Sequence, residues 1–219
     1  MMIFIEGDQA RTRHLNDLLV KRFGPLDRLP VTVIVKHGRA ELDTLPLLTQ
    51  TGAWGSPILA IYDSWGNVGV PWEHLQKIAA NPSSEAVVTF GANWFSRRES
   101  EEPRKLDEVF GGPEHWSASD KALQPSERWR FWLETYRAAM LRAGFDYCLP
   151  FQVVPRTGQP LDLVFGTGHH RAVEAFKDAM WNVDSSDGLR FSDPRTTIAK
   201  QAAMAAGQPT LFECQRPSR

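Results

Sequence analysis

The sequence predicts an α/β fold: a mostly parallel sheet, closed near the C-terminus by an antiparallel hairpin. Three observations carry this expectation. Short apolar runs at Met2 to Ile5, Val31 to Val35, Pro57 to Tyr62 and Ala86 to Phe90 alternate with helical patterns, the rhythm of strands joined by helical crossovers. The run Pro57 to Tyr62 lacks polar alternation, as expected of a strand buried on both faces of a parallel sheet. Finally, Tyr147 to Val154 and Leu161 to Thr167 are linked only by PRTGQP, a loop too short for anything but an antiparallel pair.

The elements follow in order. The opening strand reaches Glu6. A helix from about Ala10 to Arg22 presents Leu15, Leu18 and Leu19 as its apolar stripe and ends at Gly24 and Pro25. The β-branched run Val31 to Val35 forms the next strand. Leu42 to Thr51 is a short helix weakened by Pro46. After Pro57 to Tyr62 comes Asp63, where the carboxyl end of a parallel strand opens onto a ligand crevice. Gly66 and Gly69 break the chain, and Pro71 suits the first turn of a helix whose buried face carries Trp72, Leu75, Ile78 and Ala79. Ala86 to Phe90 then ends at Gly91.

From residue 92 to 124 the periodicity fails. Charges (RRESEEPRK) and a Gly-Gly-Pro break predict an irregular insertion, with one helix near Lys105 to Phe110. Pro125 to Ala143 is a strong amphipathic helix with Gly144 as its C-terminal cap. His170 to Val183 is the last helix, with Val173, Phe176, Met180 and Val183 towards the core. The predicted organisation is one α/β domain over 1–184, containing the 92–124 insertion, and a partly ordered tail over 185–219. Thr210 to Glu213 is a candidate edge strand within that tail.

Composition excludes several function classes. The chain has 219 residues and a net charge of −1, so no global field draws it to nucleic acid or anionic lipid. No apolar run approaches the roughly 18 residues of a membrane span, and the N-terminus lacks signal-peptide regions. Cys148 and Cys214 form no C-x-x-C, which argues against a disulfide framework or a cysteine-based metal site. His169 and His170 are adjacent, a poor spacing for joint ligation from a helix face. No metal site is expected, and the location expected is cytoplasmic. Eight tryptophans are many for this length. Trp129, Trp132 and Trp181 have helical spacing and suit a core, whereas Trp65 and Trp94 follow strand ends and suit crevice walls.

A parallel α/β sheet closed by an antiparallel hairpin is the pattern of class I S-adenosylmethionine-dependent methyltransferases. More narrowly, IFIEGDQARTRHLNDLL, PILAIYDSWGNVGVPWEHLQKIA, LVFGTGHHRAVEAFKDAMWNVD and QPTLFE resemble the three-Cys-motif partner proteins (TcmP), in order and over most of the chain. The resemblance implies a Rossmann-like, methyltransferase-type sheet and a separate partner carrying three cysteines, with nucleic acid as a possible substrate. Family members begin with an earlier strand and a glycine-rich turn, where backbone approaches the cofactor without a Cβ in the way. Here the chain opens on what corresponds to the second strand. The sheet is therefore expected to be N-terminally truncated, as a fragment or through an internal start. The other two readings are that the remaining strands pair directly or that a partner lends a strand.

The resemblance also assigns roles. Glu6, with Asp8, takes the position of the acid that accepts hydrogen bonds from the cofactor's ribose. Capping of the following helix is the other role open to both. Gly38, within His37-Gly38-Arg39, stands where an acid often meets the adenine, and an ordinary turn is its alternative. Asp63 and Trp65 stand where amino-methyltransferases orient the target nitrogen and stack an aromatic on the base, against an Asx-turn and a packing role. The expected activity, if the chain is catalytic, is S-adenosylmethionine-dependent methyl transfer. The rival is a non-catalytic interaction module that has lost S-adenosylmethionine binding.

Overall fold

The computed structural model describes residues 1–63, 69–117, 123–156, 158–184 and 188–192. It divides into two compact units, Met1–Ser56 and the chain from Pro57 onward.

In the first unit, β1 (Met2–Glu6), α1 (Gln9–Phe23), β2 (Val33–His37) and α2 (Ala40–Gln50) follow one another, with a 3-10 turn at Leu26–Arg28. β1 and β2 pair in parallel, Met2 opposite Val33 and Glu6 opposite His37. Asp8 caps α1, and Lys21 and Arg22 in its last turn complement the helix dipole. At Gly24 the chain turns with φ 84°, a conformation that glycine adopts without a Cβ penalty. The helix α2 runs through Pro46, and its buried residues are Leu47 and Leu48.

The second unit contains β3 (Leu59–Tyr62), α3 (Trp72–Ala80), β4 (Glu85–Phe90), α4 (Ala92–Glu101), α5 (Pro103–Phe110), α6 (Pro125–Ala143), β5 (Tyr147–Val154), β6 (Leu161–Thr167), α7 (His170–Val183) and β7 (Arg190–Ser192). Its five strands run in the order β3-β4-β6-β5-β7. β3 is parallel to β4, β6 is antiparallel to both β4 and β5, and β7 is parallel to β5. The sheet is therefore mixed, and the predicted hairpin is present as β5 and β6.

The core of this unit lies between the sheet and the helices α3 to α6. Ala86, Val88, Phe90 and Val164 point into it and are fully buried, with Phe95, Phe110, Trp132 and Tyr136. Phe95 stacks on Trp132 at 5.2 Å and on Phe90 at 5.0 Å. Alternation along β6 turns Phe165 to the opposite face, where Phe176 of α7 stacks on it at 4.4 Å. The start of α6 is fixed by Pro125 and by a reciprocal capping box between Gln124 and Glu127. Gly144, with φ 114°, ends it.

Several expectations are corrected. Within 92–124 the helix expected near Lys105 to Phe110 is present as α5, and the stretch before it, expected to be irregular, forms α4, because Trp94 and Phe95 supply it with a buried face. Arg190–Ser192, assigned to the tail, joins the sheet as β7. Trp181 and Val183 are exposed, since α7 turns Phe176 and Met180 to the sheet instead. Leu59 and Ile61 are 57% and 64% exposed, so β3 is not buried on both faces. It is one of the two edge strands of the five-stranded sheet among the described residues. Trp65 and the stretch Thr210 to Glu213 lie outside the described residues. Among the described residues no helix is long and apolar enough to cross a membrane.

Candidate functional site

The predicted cofactor residues Glu6, Asp8 and Gly38 come together where β1 and β2 end. Gly38 N–H donates to Glu6 O at 3.0 Å, extending the parallel ladder by one step before the two chains diverge. Glu6 Oε1 accepts from Asp8 N–H at 2.8 Å and lies 3.4 Å from Arg11 Nε. Among the described residues, Glu6 Oε2 has no hydrogen-bond partner. The turn thus uses one carboxylate oxygen and leaves the other facing outward on a side chain that is 32% exposed.

Asp8 is committed to the fold. Its Oδ1 accepts from Arg11 N–H at 2.8 Å, and that backbone donor is the main reason its carboxyl is held below the usual range. The Thr12 hydroxyl returns to Asp8 O at 2.8 Å. His37 Nε2 lies 3.1 Å from Gly7 O, a contact that requires the proton on Nε2.

Gly38 has a structural reason of its own. A Cβ there would fall 2.4 Å from Asp43 Oδ2 and 2.9 Å from its Cγ. Asp43 closes over the turn, pairing with Lys36 Nζ at 2.9 Å and accepting from Arg39 N–H at 2.7 Å. Lys36 first, then Arg39 N–H, holds the Asp43 carboxyl below its usual range. The acid nearest Gly38 is therefore already engaged.

In the second unit, Asp63 follows β3 directly and is exposed. The carboxyl end of β3 is braced by the Thr89 hydroxyl, which donates to Tyr62 O at 3.3 Å. Trp94, expected to wall a crevice, is only 6% exposed and packs edge-on to Phe95. The Arg98 guanidinium lies 5.8 Å from its ring centre and also pairs with Glu102. Trp132 is core, as expected, and Trp129 is partly buried.

One group at this rim was missed by sequence reasoning. Asp162 stands opposite Phe90, the last residue of β4, and opposite Gln152 of β5. It is 3% exposed and accepts from Trp129 Nε1 at 2.7 Å. Burial pushes its carboxyl up, partly offset by the indole donor. The available signal was register: Asp162 shares the core-facing positions of β6 with Val164 and Gly166, where an acid is out of place. Cys148 is no nucleophile at neutral pH, because burial pushes its thiol up to about 12. Among the described residues no group of three or more His, Cys, Asp or Glu could hold a metal ion.

Chemically, the Glu6 turn offers one outward carboxylate oxygen beside ordered backbone, and the end of β3 offers an exposed carboxylate. Each is an acceptor suited to hydroxyl or amine donors. Set against known protein families, curated proteins and solved structures, the chain finds no match in any of the three.

Proposed function

We propose that this chain is a methyltransferase-type component resembling the three-Cys-motif partner proteins, holding S-adenosylmethionine through Glu6 and acting beside a three-Cys partner in the cytoplasm, with nucleic acid as its substrate class. The supporting observation is the reversed strand: β6 runs antiparallel between β4 and β5, so a hairpin closes a sheet that begins with parallel strands. A parallel sheet ended in this way is the methyltransferase pattern, and a plain Rossmann dehydrogenase does not end so. Fold alone does not carry activity, so the residues must fit the cofactor.

The fit is uneven. Glu6 Oε2 suits a ribose hydroxyl. Asp8 does not, because it is spent on the cap of α1. Gly38 supplies no side-chain acceptor for adenine, and Asp43 beside it is already paired. Bound S-adenosylmethionine supplies an electrophilic methyl group. In this reading Glu6 orients the ribose. The uneven fit favours one rival, the interaction module that keeps the fold without the cofactor.

Calorimetric titration with S-adenosylmethionine and its demethylated product separates the two. The expected result is saturable heat with both, lost in Glu6→Ala and retained in Asp63→Ala. At a ligand concentration of 100 times Kd, binding adds about 2.7 kcal/mol to stability, which a melting curve reads directly. Absence of binding in the parent chain assigns the protein to the interaction module.

A further inference from the structure

We propose that Ser83 and His169 form a nucleophile–base dyad that takes acyl groups from small carboxylic esters. The pair lies wholly within the second unit, at the opposite end of β4 from Phe90, and is independent of cofactor binding. Strand register brings its loops together. Glu85 at the start of β4, Thr167 at the end of β6 and Tyr147 at the start of β5 stand in one row. The turns next to that row carry Ser83, His169 and Asp146.

These turns are fixed from beneath. Ser84 is buried, and its hydroxyl oxygen accepts from Ile58 N–H at 2.9 Å and from Asn81 Nδ2 at 2.7 Å. Thr167 is fully buried, and its Oγ1 accepts from His169 N–H at 3.0 Å. A Cβ on Gly168 would come 3.6 Å from Asp146 Oδ2, so a carboxylate stands beside the turn that carries His169. Between the turns, Ser83 Oγ lies 3.4 Å from His169 Nε2. The hydroxyl donates when the imidazole carries its proton on Nδ1. Nucleophile–base contacts are often this loose before substrate arrives.

Two further observations set the pair apart from an ordinary side-chain contact. Ser83 has φ 53°, the one positive value at a non-glycine position among the described residues. Strain of this kind gathers at functional sites, and here it falls on the residue whose hydroxyl meets the imidazole. His169 occupies the N-cap of α7, yet its side chain makes no capping bond, and the ring turns to Ser83 instead. His170 N–H and Arg171 N–H have no hydrogen-bond partner among the described residues, and the first turn of α7 holds no acid. Unspent amides at a helix N-terminus favour a negative oxygen.

In the reaction, Ser83 Oγ adds to the ester carbonyl as its proton passes to His169 Nε2. The carbon–oxygen bond to the alcohol then breaks, the alcohol leaves with that proton, and the acyl group remains on Ser83. Water adds next and gives its proton to His169, which returns it to Ser83 Oγ as the carboxylic acid is released.

Incubation of the full chain with p-nitrophenyl acetate tests this, with p-nitrophenol read by absorbance and the acetyl group located by peptide mass spectrometry. Acetylation is expected at Ser83. Ser83→Gly suits the φ of this position, so circular dichroism and melting temperature should hold while p-nitrophenol release falls to the chemical background. His169→Gln should slow acetylation of Ser83 about 100-fold and leave that of lysine side chains unchanged, a split that a purely structural contact would not produce. No acetyl group on Ser83, release by Ser83→Gly at the parent's rate, or Ser83 acetylated as fast in His169→Gln as in the parent would each overturn the proposal.

Discussion

The strands of the two units resemble each other in sequence and differ in how they are held. β1 and β2 contain no fully buried residue, whereas β4 and β6 bury most of theirs. The first unit is organised by polar contacts at its strand ends: Glu6 with Asp8, Asp8 with Arg11, Asp43 with Lys36 and Arg39. The second is organised by interlocking rings, with Phe90, Phe95, Phe110, Trp132 and Tyr136 all fully buried. A two-stranded sheet on its own is marginal, so turn chemistry matters most where apolar burial is least.

The largest effect expected from breaking this contrast is at Trp132. Its ring stacks on Phe95 and Phe110 and is fully buried, so Trp132→Ala should lower the unfolding free energy by about 3–5 kcal/mol, read by urea denaturation. A loss below about 1 kcal/mol would mean that the aromatic cluster is not the organising core.

In the first unit the corresponding lesion is Asp8→Ala, with a smaller effect confined to the start of α1. Amide exchange at Arg11 and Thr12 should quicken. Asp8 is held below its usual range mainly by the Arg11 N–H. Its contribution is therefore present above the ordinary carboxylate range and fades as pH falls through the lowered value. The variant should lack that acid-side loss, and unchanged exchange would deny Asp8 its capping role.

Asp162 carries the opposite sign. Burial raises its carboxyl, so the folded state favours the protonated form. Stability is fullest below the ordinary carboxylate range and declines as pH rises through the raised value. Asp162→Asn keeps an acceptor for Trp129 Nε1 without the ionisation. It should flatten that decline and be at least as stable as the parent at neutral pH. A marked loss at neutral pH would show that the ionised carboxylate is itself needed.

Much of this architecture could be read from side-chain periodicity. The bounds of α6, β5, β6 and α7 coincide with those expected, because Trp132, Tyr136, Ala139, Met140 and Ala143 repeat at helical spacing and PRTGQP permits only a hairpin. The helix near Lys105 to Phe110 was foreseen as α5, whereas α4 was hidden by surface charge. Arg98 with Glu102 and Lys105 with Glu108 are solvated pairs on helices whose other faces hold Phe95 and Leu106. An unbroken apolar run could not distinguish an inner strand from an edge, which is why the exposure of Leu59 and Ile61 was not anticipated. The clustering of Glu6, Asp8 and Gly38 followed from their places at strand ends. The prior engagement of Asp8 and Asp43 did not, since it depends on backbone donors and on contacts made only in three dimensions.

The carboxylate at position 6 divides its labour. One oxygen is bound into the architecture of the turn, and the other is spared for whatever approaches from outside. A glutamine there would have a single acceptor, so the chain's own loop and an incoming diol would compete for the same atom. Preservation of shape and preservation of recognition would become alternatives at that residue.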